Sequence, residues 1–210
     1  MGNVLVDEQI LKDMANNIRA MTGKTDLMKP SEMASNIKIG KPYVDSSKIY
    51  YWDNFFSYSR NSEILKSTNI DFSGGNSFNR TFYGFDATES LPPINMTKGV
   101  SFTSCFSDSY VTEIQEIIFN GAKTSTMTNI FSACYILERV TITGTIKVNS
   151  NTFDITDCES LNTESLLSFL NAFEDNTGGT TYTVYFGTTN LEKLTAEQQQ
   201  IATNKNITLA

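Results

Sequence analysis

Histidine is absent from the 210-residue chain. Its absence removes Ser-His-Asp and Cys-His nucleophile activation, the imidazole general base and every His-containing metal site. Cysteine is scarce: Cys105, Cys134 and Cys158 never fall into a C-x-x-C pattern. An odd, scattered set reads as small buried hydrophobes rather than a disulfide framework or zinc site. Positive charge is also short, 16 basic against 23 acidic residues, for a net charge of −7. That balance suits no phosphate-tracking surface, so nucleic acid is not an expected partner. The opening "MGNVLVDEQILKDM" has no basic n-region and no apolar run long enough for a signal peptide or membrane span. Val6 stands where a myristoylation signal needs a hydroxyl. The expectation is a soluble chain made in the cytoplasm, with no membrane partner. Two carboxylates could still act as acid and base, but no pair stands out from a solvated acidic surface. No catalysis, cofactor or required metal is therefore expected.

Hydrophobic residues make up 40% of the chain and aromatics 11%, enough for a sizeable core. Charge is uneven: residues 1–41 carry six basic and five acidic side chains, the remainder ten and eighteen. In the first segment, Ile10, Leu11, Met14, Ile18 and Met21 recur at helical spacing, with Asp7 as N-cap and Gly23 as stop. A shorter helix comes next, with Pro30 in its first turn, Met33 and Ile37 on one face, and Gly40 at its end. A hairpin of this size is too small to stand alone. It is either a cap folded over the adjoining repeat or a docking element. The docking face would be Ile10, Met14, Ile18, Met21, Met33 and Ile37.

The middle of the chain repeats. Phe56, Phe82, Phe106, Phe131 and Phe153 are separated by 26, 24, 25 and 22 residues. Four positions before the first four stand Trp52, Phe78, Phe102 and Met127, while the fifth copy has Asn149 there. Eight or nine positions after each phenylalanine comes an aliphatic: Ile64, Leu91, Ile114, Val140 and Leu161. Ile94, Ile117 and Ile142 extend three of these into strand-like runs. The i, i+4 spacing predicts a helical turn with both apolar side chains on one face. A turn-plus-strand unit cannot bury its own apolar face, whereas stacked units share a continuous core. The expected fold is α+β: an irregular, right-handed solenoid of leucine-rich-repeat length between an N-terminal helical hairpin and a C-terminal α/β cap. The boundaries are 1–41, 42–162 and 163–210.

In the last segment, Thr163 is the expected N-cap of a helix carrying Leu166, Leu167, Leu170 and Phe173 and ending at Gly178-Gly179. "TYTVYFG" alternates as a strand, Thr195 and Gln198 form a capping box, and "NITLA" closes as a strand.

Three stretches carry a family resemblance. "MTNIFSACYILERVTI" resembles the BspA-type leucine-rich repeats of bacteria and bacteriophages, with Cys134 three after Phe131. "FTSCFSDSYVTEI" departs by moving its cysteine, and "FNRTFYGFDATESL" has none. The opening, with Ile18-Arg19, Thr22 to Thr25, Pro30, Glu32, Met33 and Ile37, is similar to a segment that begins tail-associated proteins of phages of Gram-positive bacteria. The stretch 158–210 resembles the end of repeat proteins from such phages, with Lys205-Asn206-Ile207 in place of "KGW". The resemblance implies a virion or tail-like-particle component, assembled in the bacterial cytoplasm in multiple copies beside other tail or baseplate proteins.

Under that reading the solenoid either binds a host-surface glycan or protein, or decorates the particle. Tyr51, Tyr58 and Arg60 in "YYWDNFFSYSR", with Arg80 and Tyr83, are the candidate ligand-contacting residues, because aromatic faces beside polar groups suit sugars. The plainer alternative is that these tyrosines only cover the repeat surface. A bacterial cell-surface adhesion module is the competing function, and a carboxylate glycan hydrolase a third.

Overall fold

The computed structural model describes residues 46–60, 70–86, 90–120, 126–147 and 153–210. The six proposed docking residues, Ile64 and Asn149 lie outside them.

Trp52, Phe78, Phe102 and Met127 are all buried, as are the five repeat-register phenylalanines. The rings of Phe56, Phe82, Phe106 and Phe131 lie one on another, with centroids 5.4, 5.1 and 5.3 Å apart and planes within 8°. Near-parallel rings at that spacing are offset-stacked, which favours each pair beyond its burial. Phe78 stacks on Phe102 in a second column at 5.6 Å. Phe153 leaves the first column: Phe169 stands edge-on to Phe131 at 5.5 Å and to Phe153 at 5.4 Å.

The backbone explains why the period is so well kept. Trp52 N–H donates to Ser77 C=O, Phe78 to Ser101 and Phe102 to Thr126, each at 2.8 Å. The same ladder runs Phe56 to Thr81, Phe82 to Cys105 and Phe106 to Ile130, again at 2.8 Å. Asn54, Arg80 and Ser104 begin a third column, and Tyr58, Gly84 and Asp108 a fourth. Peptides between these bond within their own turn, as Phe55 does to Trp52 and Ser57 to Asn54. Every second peptide thus runs along the stack and the others close the turn.

This is not the helical turn expected from the i, i+4 spacing. Residues two before and two after each of the first four phenylalanines have positive φ: Asn54 and Tyr58, Arg80 and Gly84, Ser104 and Asp108, Asn129 and Ala133. A helix would spend its N–H groups on its own carbonyls. The left-handed residues re-aim alternate peptides at the next turn. Trp52 and Phe56 still share the buried side, but through this alternation.

Side chains extend the ladder. Asp53 Oδ1 accepts from the Ser77 hydroxyl (2.6 Å) and Asn79 N–H (2.8 Å), and Asn79 Oδ1 accepts from Ser101 and Thr103 in the same way (2.7 and 2.9 Å). On the far side of each turn, β1 (Ile94–Asn95), β2 (Glu113–Phe119) and β3 (Arg139–Gly144) form a parallel sheet. Ile94, Ile117 and Ile142 are in register across it. Its outer edge is covered by α1 (Thr163–Ala172). Val140 N–H donates to the Ser165 hydroxyl (2.9 Å) and Ile142 N–H to that of Ser168 (2.6 Å), which returns a bond to Ile142 C=O (3.1 Å).

The cap of helix α1 stands one residue before the expected one. Asn162 is the N-cap, its side chain accepting from Ser165 N–H at 2.9 Å, and Thr163 is the first helical residue. The helix ends at Ala172, well before Gly178-Gly179, because Phe173 turns to an extended ψ of 135° and Ile146 N–H takes the Ala172 carbonyl at 2.7 Å. The chain continues through β4 (Tyr182–Val184), the four-residue α2 (Thr188–Leu191), which no capping or periodic signal announces, α3 (Ala196–Asn204) and β5 (Ile207–Leu209). The Thr195/Gln198 capping box opens α3. β4 and β5 pair in parallel, and β4 joins the preceding turn through Asp154 and Tyr185.

A candidate ligand-binding face

Of the five candidate ligand-contacting residues, the fold brings three together. Tyr58 and Tyr83 follow core phenylalanines of adjacent turns, so the ladder sets one above the other. Their rings meet edge-on at 5.3 Å. The neighbouring Tyr83 phenol, with slight desolvation behind it, raises the Tyr58 phenol above its ordinary pKa. The Arg80 guanidinium lies 4.2 Å from the centre of the Tyr83 ring, a cation–π contact. Tyr58 is 64% exposed, so the cluster is an open face rather than a pocket.

Arg60 and Tyr51 stand apart. Arg60 reaches Asp86 at 3.7 Å, a loose and exposed ion pair of little energetic weight. Tyr51 is paired with Ser77 in the stack and set edge-on to Tyr50 at 4.8 Å. The five do not form one site.

Sequence reasoning missed the residue that seats the cluster. Gly84, at φ +60°, takes the register position that Tyr58 holds one turn earlier. A Cβ on Gly84 would stand 2.6 Å from Tyr58 Cδ1, so the tyrosine ring lies in space that only glycine leaves open. The signal was readable as the recurring position two after each phenylalanine, but its meaning depends on φ.

Tyr58 and Arg80 are also the bulky members of the left-handed set, whose other members are Asn54, Gly84, Ser104, Asp108, Asn129 and Ala133. Left-handed backbone costs an L-residue about 1–2 kcal/mol, with asparagine, aspartate and glycine tolerating it best. The two largest side chains in the set meet on one patch.

The cysteines sit inside. Cys134 donates to Phe106 C=O (3.0 Å) and Cys158 to Phe131 C=O (3.2 Å), so the two thiols occupy matching places in successive turns. Burial drives the Cys105 thiol well above its ordinary pKa. The neighbouring Cys134 thiol, ahead of burial, raises Cys158, and the Cys158 thiol in turn lowers Cys134. Among the described residues, no group of three or more Cys, Asp and Glu is placed to hold a metal ion, and no helix is long and apolar enough to cross a membrane.

Compared with known proteins, the chain matches no family model, no curated protein and no solved structure.

Proposed function

We propose that this chain is a non-enzymatic component of a phage tail, baseplate or tail-like particle of a Gram-positive host. In this reading residues 42–162 are a degenerate leucine-rich-repeat solenoid, residues 1–41 dock it to the particle, and residues 163–210 cap it. The outward task is contact with a host-surface glycan through Tyr58, Arg80 and Tyr83. The observation that supports this task most is the pair of bulky left-handed residues, Tyr58 and Arg80, converging on Tyr83. Backbone strain kept at an exposed cluster is what a binding site tolerates and a mere covering surface has no use for.

The test separates binding from covering. Tyr58→Asn and Arg80→Asn place a residue suited to left-handed backbone at each strained position. Both are expected to leave stability unchanged or raise it by about 0.5–1 kcal/mol, while retention of the protein on host cell walls falls at least about tenfold. Equal retention by wild type and variants, or loss of stability in both variants, would make the cluster a surface covering. Attachment is tested by deleting residues 1–40. A folded remainder that no longer copurifies with particles supports docking, and a remainder that aggregates makes the segment a structural cap. Negative-stain imaging of particles labelled with an antibody to this chain tests the virion assignment.

A further inference from the structure

The four backbone columns of the stack all point one way. Trp52, Asn54, Phe56 and Tyr58 donate to the C=O groups of Ser77, Asn79, Thr81 and Tyr83. The same sense holds through the next two steps of each column, at 2.7–3.0 Å throughout. A single peptide supplies the N–H of Trp52 and the C=O of Tyr51, so each stacked peptide aims its carbonyl back toward the first turn. Aligned peptide dipoles add, as they do along a helix, and leave partial negative charge where the carbonyls end. Here they end in a row of four: Tyr51, Asp53, Phe55 and Ser57 C=O, to which no described residue donates a backbone N–H.

The row is open to solvent. Tyr51 is 68% exposed, Phe55 is 55% exposed, and Asp53 between them is exposed as well. The Asp53 carboxylate, held by the Ser77 hydroxyl and Asn79 N–H, adds a full negative charge beside the carbonyls. The rings of Tyr51 and Phe55 belong to the same row, and exposed aromatic rings attract cations at their faces.

Such a row selects its occupant by what it lacks. It offers acceptors only, whereas a β-strand presents N–H and C=O in alternation and would set carbonyl against carbonyl. The first turn of a second copy is made of the same acceptors and is excluded for the same reason. The donor end of a second copy is already covered. Ala133, next in the fourth column, gives its N–H to the Asp157 carboxylate (3.2 Å), and Phe169 of α1 stands against Phe131 at 5.5 Å. The occupant must therefore bring donors without acceptors. Lysine and arginine side chains do so, and the planar arginine fork also stacks on aromatic rings.

We propose that this end of the stack is an interaction surface for an arginine- and lysine-bearing segment of another protein, whose cationic groups donate to the Tyr51, Asp53, Phe55 and Ser57 carbonyls. It stands whether or not Tyr58, Arg80 and Tyr83 bind a glycan.

Carbonyl chemical shifts of the isotope-labelled full chain, followed as an acetylated tri-arginine amide is added, read hydrogen bonding at each C=O directly. Those of Tyr51, Asp53, Phe55 and Ser57 should move together on one saturable curve and exceed the shifts elsewhere on the acidic surface. Phe55→Ala is expected to weaken binding about threefold, and Phe55→Ala with Tyr51→Ala about tenfold. Glu113→Gln, which removes a carboxylate from β2, should leave the affinity unchanged. Shifts spread evenly over the aspartates and glutamates would make binding a general effect of net charge and overturn the proposal. So would an affinity that the ring variants leave unchanged. Equal binding of an acetylated tri-alanine amide, which brings backbone amides and no cation, would give the row to a strand and overturn it too. Far-ultraviolet dichroism matching the wild type confirms that the variants are folded. Should Phe55→Ala fail that check, Tyr51→Ala alone, at the more exposed ring, decides, with the same threefold loss of about a half-unit in log affinity expected.

Discussion

The stacked turns before residue 147 and the segment after residue 153 solve the same problem by different means. In the turns, a buried amide finds its partner in the next copy, so backbone pairs mainly with backbone and side chains such as Asp53 and Asn79 only add to that ladder. Past Phe153 there is no next copy, and polar side chains take over. Asn190, fully buried, donates its amide to the carbonyls of Ile155, Cys158 and Phe186 at 3.2, 3.4 and 3.0 Å. The Lys205 ammonium donates to Leu170, Asn171 and Phe173 C=O at 2.9, 2.7 and 2.6 Å, closing the end of α1. Lys193 does the same for Glu159 and Leu161. Repetition makes polar side chains dispensable. Where it stops, single residues become hard to replace.

That contrast can be broken most forcefully at the phenylalanine column. Phe106→Ala removes the ring between Phe82 and Phe131 and should cost about 3–5 kcal/mol, read as a fall in the denaturant midpoint. A loss below about 1 kcal/mol would mean that the column is not what holds the turns together.

Asn190→Leu keeps the volume but removes the amide from three buried carbonyls, leaving Phe186 C=O without a donor while Cys158 and Leu161 N–H still serve Ile155 and Cys158 C=O, and about 2 kcal/mol should be lost. Asn79→Ala, within the ladder, is expected to cost less, about 1 kcal/mol, because backbone columns on either side survive. Equal losses from the two would erase the distinction between the regions.

A smaller effect is expected from Lys205→Met, about 1 kcal/mol, since the side chain is only partly buried and its bonds to the helix end are partly screened by solvent. Chemical denaturation against wild type measures it.

Acid should produce the mildest change. Ser73 and Thr177 hydrogen bonds hold Asp71 and Asp175 below the usual carboxylate range, the Arg139 bond holds Glu113 there, and its own backbone N–H and Thr195 hold Glu197. A depressed folded pKa means stability that is complete above the unfolded value. It is lost as pH falls through the lower folded value. Melting temperature should therefore be flat above about pH 5 and decline below about pH 4, and Glu113→Gln should make that decline shallower. A decline that begins near neutrality would point to other groups.

Much of this was legible in the chain. The phenylalanine spacing located the stacked rings, and the period-2 and capping signals located β4, α3 and β5. Of the candidate site, Tyr58, Arg80 and Tyr83 were readable as aromatic and basic residues near a repeat position. That they meet, and that Tyr51 and Arg60 stay away, was not readable, because the meeting depends on how each turn is registered on the next.

What the sequence by itself determined is which residues are buried and at what interval, since apolar spacing is a property of the chain. Tertiary structure decided where each polar group finds its partner. Alternate peptides leave the turn only because another turn lies within hydrogen-bonding distance, and that draws Asn54, Tyr58, Arg80 and Gly84 into left-handed backbone where local spacing alone favours a helix. Helix α1 stops at Ala172 because Ile146 and Lys205 claim its last carbonyls, not because a glycine ends it. A hydrogen bond needs a partner at about 2.9 Å, and no stretch of sequence read alone says which distant residue will be there.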